Sequence, residues 1–217
     1  MTLKTKLYRT TLNTGLLLAI FTSFFAQPAS ALSLHNNEVT LPDFTEFSKS
    51  VENGDKSILR GVYVSGVLAT PIVQQPADNS GYVSSTDGVL TQFSLPSQFG
   101  NVGLLAHNSL SGKSFFQLEV SQEVRLVYGD GRVEYFIIQR ILQYQALQPK
   151  SPYSDFRDLS SDEILTTEQV FRKVYTGDRH VTFQTCIAAN GISTWGRIFV
   201  IATPKTQYAI PNRFDPE

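Results

Sequence analysis

The segment from Val124 to Ile137 constrains this chain more than any other. Val124, Leu126 and Tyr128 alternate with polar residues up to Gly129-Asp130-Gly131, and Val133, Tyr135 and Ile137 alternate after it. Alternation with period two on both sides of such a turn specifies a β-hairpin. The second arm runs on through Ile138-Gln139-Arg140-Ile141-Leu142-Gln143-Tyr144, too long to pair with its predecessor alone. It has to bend around a barrel or serve two neighbours.

Other stretches read the same way. Ile58 to Val64, Val89 to Leu95 before Pro96, Val102 to Ala106, His180 to Ile187, and Arg197 to Thr203 before Pro204 are strands by their β-branched and aromatic content. Pro71, Pro76 and Asp78-Asn79-Ser80-Gly81 punctuate the chain between the first two. One helix is expected over Thr167 to Tyr175. Val170, Phe171 and Val174 share a face there, and Thr166 precedes Gln169 in capping-box spacing. Residues 149–163, with Pro149, Pro152 and the acids Asp155, Asp158, Asp162 and Glu163, read as a long solvated loop in which calcium ligation is the lesser alternative. Residues 32–57 read as an N-terminal arm with one short helix, 58–204 as a single all-β domain, and 205–217 as a tail. The absence of βαβ alternation argues against dinucleotide-binding folds.

Residues 1–31 look like an export signal rather than fold. Lys4, Lys6 and Arg9 form a basic start, Leu12 to Ala26 a mainly apolar run, and Gln27-Pro28-Ala29-Ser30-Ala31 a small-residue cleavage site. The run is shorter than the ~20 residues of a spanning helix, so a secreted or extracytoplasmic location is expected, with membrane attachment only if the segment is retained. Its removal takes three of the 18 basic side chains and none of the 19 acidic ones, leaving 15 against 19. No block of five Lys or Arg occurs, so nucleic acid is not an expected partner.

Against that compartment, a single cysteine stands out. Exported chains usually keep cysteines in pairs, and Cys186 has no partner in its own chain. It is either a reactive thiol, half of an intermolecular bond, or a small buried hydrophobe. Strand alternation puts it on the face of Thr182 and Gln184, opposite Val181, Phe183 and Thr185. Arg197 begins the next strand 11 residues on, where a hairpin would bring its guanidinium beside the thiol. Of three histidines, His35 lies in the arm and His180 reads as a solvated strand edge, while His107 stands at the exit of an apolar strand, a place from which side chains project into clefts. A histidine there can move protons near neutral pH.

The order His107, Cys186, Arg197 resembles the sortases, exported bacterial cysteine transpeptidases. Their mark is Thr-Leu-x-Thr-Cys on the penultimate strand and an Arg on the last; this chain reads Thr182-Phe183-Gln184-Thr185-Cys186 and Trp195-Gly196-Arg197. Phe183 replaces the family's Leu, and Ala106 precedes His107 where the family usually has Gly. The resemblance covers about residues 58–204 and implies a closed β-barrel of about eight strands with one or two short helices. It further implies a Cys186 acyl-enzyme, His107 as proton donor and acceptor, Arg197 on the oxyanion or a substrate carbonyl, and Thr185 as a substrate contact. The implied partners are a Leu-Pro-x-Thr-Gly-type sorting signal on a surface protein and an amine acceptor on cell wall or protein.

No cofactor or metal is expected. Gly-x-Ser-x-Gly, His-Glu-x-x-His and Cys-x-x-Cys are absent, and Leu110-Ser111-Gly112-Lys113-Ser114 lacks the first glycine of a phosphate loop, which would stand at His107. Two other functions stay open on the residues alone. One is a cysteine hydrolase on the same barrel, with water as acceptor. The other is a non-catalytic barrel that binds peptide or wall polymer.

Overall fold

The chain's longest strands make its closure. In the computed structural model, which describes residues 41–205, the strands are β1 (Leu59–Val64), β2 (Leu68–Gln74), β3 (Leu90–Phe93), β4 (Val102–Leu105), β5 (Glu123–Tyr128), β6 (Val133–Ala146), β7 (Phe156–Asp158), β8 (Ile164–Leu165), β9 (Val181–Ala189) and β10 (Ile192–Pro204). They pair in the order β10-β9-β4-β3-β2-β1-β5-β6, and β10 also pairs with β6. Eight strands therefore form a closed ring, as expected, with β7 and β8 as an annex on the end of β6. The 14-residue arm β6 does what its length demanded. Its first residues pair with β5, Phe136–Gln145 with β10, and Tyr144–Ala146 with β7. The signal segment 1–31, His35, the start of the arm and residues 206–217 lie outside the described residues.

Alternation along each strand separates two cores. Val181 and Phe183 of β9 and Ile198, Val200 and Ala202 of β10 point into the barrel with Leu104, Leu126 and Phe136. Phe115 stacks edge-on to Phe183 there, ring centroids 5.3 Å apart. Phe199 and Ile201 point the other way, under helix α2 (Thr167–Tyr175), where they meet Tyr144, Phe156, Val170, Val174 and Tyr175. Each fully buried side chain of this size contributes about 1.5–3 kcal/mol of transfer free energy. The α2 capping box forms as its spacing indicated: Thr166 accepts from the Gln169 amide while Gln169 accepts from the Thr166 amide. A shorter helix, α1 (Phe44–Val51), is capped by Asp43 and sets Phe47 and Val51 against Tyr63 and Val127.

Two stretches differ from their sequence reading. Strand β2 went unrecognised because Pro71 interrupts it, yet Pro71 sits where the ladder changes partners. Leu68–Pro71 pair with β1 and Ile72–Gln74 pair in parallel with β3, so a missing N–H costs little at the hand-over. The acidic stretch 149–163 is not all loop. It contains β7, whose Phe156 packs on Tyr144, and whose Asp158 is buried, accepts from Ser160 and lies 3.6 Å from Lys173 Nζ.

Candidate active site

Strands β9 and β10 are joined by the two-residue turn Asn190-Gly191, both at positive φ (52° and 74°). That is the primed turn whose twist matches a hairpin, and it suits Asn-Gly. Beyond the turn β10 bulges, since Ile192 faces Ala189 but Gly196 faces Ile187. The extra residues re-aim the strand, and Arg197 emerges directly opposite Cys186. Residues so paired have Cα atoms about 4.5–5.5 Å apart and side chains on one face. The bulge also holds the guanidinium. Arg197 Nη1 donates to the carbonyl oxygens of Thr194 (3.1 Å) and Gly196 (2.8 Å). Its Nε and Nη2 make no hydrogen bond among the described residues.

His107 reaches the same level from the other side. β4 runs parallel to β9 with Leu105 opposite Gln184, and the Ala106 amide donates to the Gln184 carbonyl at 3.4 Å. His107 follows two residues after Leu105, past the end of β4, where a continued ladder would bring it level with Cys186. The backbone then turns sharply, the His107 carbonyl accepting from the amides of Leu110 and Gly112, both at 3.0 Å. His107 is exposed and Cys186 half-buried, a free thiol. The same row continues across the sheet, because Tyr144 of β6 is opposite Arg197 and Asp158 of β7 opposite Tyr144. Thiol and guanidinium thus stand paired on adjacent strands of the barrel's outer wall, and His107 follows the end of the strand on the thiol's other side.

Thr185 points the other way. It is buried in the interior, and its hydroxyl donates to the Ala106 carbonyl at 2.8 Å. That hydroxyl pins the β4 exit to β9, which leaves any substrate contact to the Thr185 backbone. His180 also differs from its reading as a solvated edge. It is buried, its ring nitrogens 2.7 Å from the Asp178 carbonyl and 2.9 Å from that of Val174, so it clamps the end of α2 to the start of β9.

Three residues join the site that sequence alone did not single out. Gly112 packs so tightly that an added Cβ would lie 2.7 Å from the His107 carbonyl oxygen; its only signal was the Ser-Gly-Lys run. Asn108 donates to the Ser193 carbonyl at 3.0 Å, tying the histidine's loop to the β9–β10 hairpin. Tyr175 of α2 is buried and donates to Gln184 Oε1. Burial pushes its phenol far above the ordinary tyrosine range, so the hydroxyl keeps its proton.

Beside the row runs a groove of about 340 Å³ between α2, β9, β10 and the loop at Ser151-Pro152. Arg197 and Gln184 line it with Leu105, Phe93, Tyr175 and Phe199, whereas Cys186 and His107 lie outside its wall. Among the described residues no group of three or more His, Cys, Asp or Glu is placed to hold a metal ion. A largely apolar trough lined by a cation, next to a half-exposed thiol and with a histidine just past the neighbouring strand, has the parts to bind an extended chain and attack a carbonyl in it.

The closed eight-stranded ring defines an all-β barrel that carries a free thiol paired with an arginine on its outer wall. No family model matches the chain, and no curated protein does. Solved structures similar to it are sortases. Sortase C-1 from Actinomyces oris is 10% identical with a TM-score of 0.46, the alignment covering 77% of this chain and 83% of that one. Sortase E1 from Streptomyces coelicolor, with a tripeptide in its active site, is 16% identical with a TM-score of 0.44 over 68% and 88%. The sortase D5 transpeptidase from Clostridium perfringens is 15% identical with a TM-score of 0.43 over 78% and 92%.

Proposed function

We propose that this protein is a cysteine transpeptidase of the sortase kind. The observation that carries the reading is the pairing of Cys186 with Arg197 across β9 and β10, with His107 one strand away on the parallel side. The Thr182-Phe183-Gln184-Thr185-Cys186 run supports it independently.

The Cys186 thiolate attacks a peptide carbonyl carbon, forming a C–S bond while the carbonyl electrons move to oxygen. The tetrahedral oxyanion faces the two donor groups of Arg197 not engaged by the bulge. Collapse breaks the C–N bond, and His107 delivers a proton to the departing amine. A second amine then attacks the thioester, His107 takes its proton, and the C–S bond breaks to restore the thiolate. Leu105, Phe199 and the aromatic rings of the groove suit a sorting signal of the Leu-Pro-x-Thr-Gly type on a surface protein, and the acceptor is an amine on cell wall or protein. The basic, apolar and small-residue stretches of residues 1–31 support a location outside the cytoplasm for this work, and among the described residues no helix is long and apolar enough to cross a membrane.

Mass spectrometry of the purified protein with Leu-Pro-x-Thr-Gly peptides tests the proposal. A covalent adduct on Cys186 and, with tri-glycine added, an amine-linked product are expected. Absence of both across the peptide set overturns it, and an adduct that yields only free acid makes the protein a hydrolase.

A further inference from the structure

We infer that Gln184 selects the peptide, donating a hydrogen bond from its side-chain amide to the backbone carbonyl two residues before the scissile bond; this rests on the proposed function. Three observations converge on it. Gln184 shares a strand face with Cys186 and lines the groove, so it stands in the path of any chain leading to the thiol. The buried Tyr175 hydroxyl donates to its Oε1, which orients the amide with its NH2 group away from α2. That Nε2 makes no hydrogen bond among the described residues.

Spacing then picks the partner. Cys186 and Gln184 are two residues apart along β9, about 6.7 Å at strand rise. An extended peptide repeats with the same two-residue period, so a chain whose scissile carbonyl sits at the thiol presents its carbonyl two residues upstream over Gln184. The groove extends from the row towards Gln184, Phe93 and Tyr175, the side on which the acyl portion of the substrate must lie. A backbone carbonyl exists at that position in every sequence, so this contact fixes register and direction, while the apolar walls choose side chains.

The test is binding to the Cys186→Ala protein, which needs no chemistry. The probe is fluorescent Leu-Pro-Ala-Thr-Gly, and an analogue in which a trans-alkene replaces the Pro–Ala amide and so removes the carbonyl. A neutral hydrogen bond is worth about 0.5–1.5 kcal/mol, so adding Gln184→Ala should weaken the parent peptide roughly two- to twelvefold. The analogue should lose as much on the Cys186→Ala protein and nothing more once Gln184 is also removed. Gln184→Glu, which keeps the acceptor for Tyr175 but loses the donor, should bind no better than Gln184→Ala. Additive losses, an unaffected Gln184→Ala protein, tight binding by Gln184→Glu, or no binding at all would each overturn the inference. The peptide analogue gives its answer on an unaltered Gln184, whatever the variants do to folding. Adduct formation on the unmodified protein is read separately: an adduct with no dependence on Gln184 defeats this inference alone, and Gln184-dependent binding without an adduct defeats acyl transfer alone.

Discussion

Cys186 and Arg197 are direct partners across β9 and β10, a pairing produced by the bulge that follows the Asn190-Gly191 turn. Replacing the thiol therefore removes the proposed nucleophile and leaves its support. Cys186→Ala should abolish adduct formation, at least a thousandfold in kcat/KM, while melting within the ordinary range for a partly exposed substitution, about 0.5 kcal/mol either way. Retained turnover would reassign the nucleophile.

Arg197 has one task shown and one proposed for a single fork: Nη1 holds the carbonyls of Thr194 and Gly196, and the nitrogens without a partner among the described residues are the proposed oxyanion donors. A lysine keeps the charge but cannot do both. Arg197→Lys should lower kcat by about 100-fold, the usual loss for an oxyanion donor, with less change in KM. Single-turnover kinetics with the peptide will read it.

Gly112 has no room for a side chain between Thr185 and the His107 carbonyl. Gly112→Ala should displace the β4 exit, costing about 1–3 kcal/mol as overpacking does, and should slow turnover more than it slows alkylation of Cys186 by a methanethiosulfonate reagent. Equal slowing of both would mean that the thiol, not the histidine's loop, had moved.

Asp158 connects the annex to α2. Burial raises its pKa, but the hydrogen bonds from Ser160 and the nearby Lys173 more than offset this and hold the carboxyl below the ordinary range. A depressed folded-state pKa contributes stability that is present above the unfolded value, about 3.9, and is lost as pH falls through the folded value. Thermal melts below pH 4 should therefore decline more steeply for the natural protein than for Asp158→Asn, which should be about 1–3 kcal/mol less stable at pH 7.

The local grammar of the chain was readable where one segment decides its own state. The Gly129-Asp130-Gly131 hairpin, the capped helix and strand β9 formed where their patterns put them, whereas β10 begins at Ile192, five residues before Arg197, because the bulged stretch after the turn still pairs. Strand β2 and strand β7 escaped because their identity lies in partners: Pro71 is tolerated only at a change of ladder, and Phe156 is a strand residue only beside Tyr144. In the site, Cys186 and Arg197 were legible together because eleven residues and a hairpin join them. The alignment of His107 depends on a parallel ladder between distant segments, and the orientation of the Gln184 amide on a helix laid over it, neither of which leaves a local trace.

That parallel ladder has a consequence in time. Ala106 and Thr185, whose bond locks β4 to β9, are 79 residues apart, and contacts of such separation are late and slow to form. The β9–β10 hairpin can seat the guanidinium beside the sulfur early, whereas the stretch that carries His107 is aligned only once β9 pairs with β4. A half-made chain thus holds sulfur and guanidinium together before the strand that leads to the imidazole has docked.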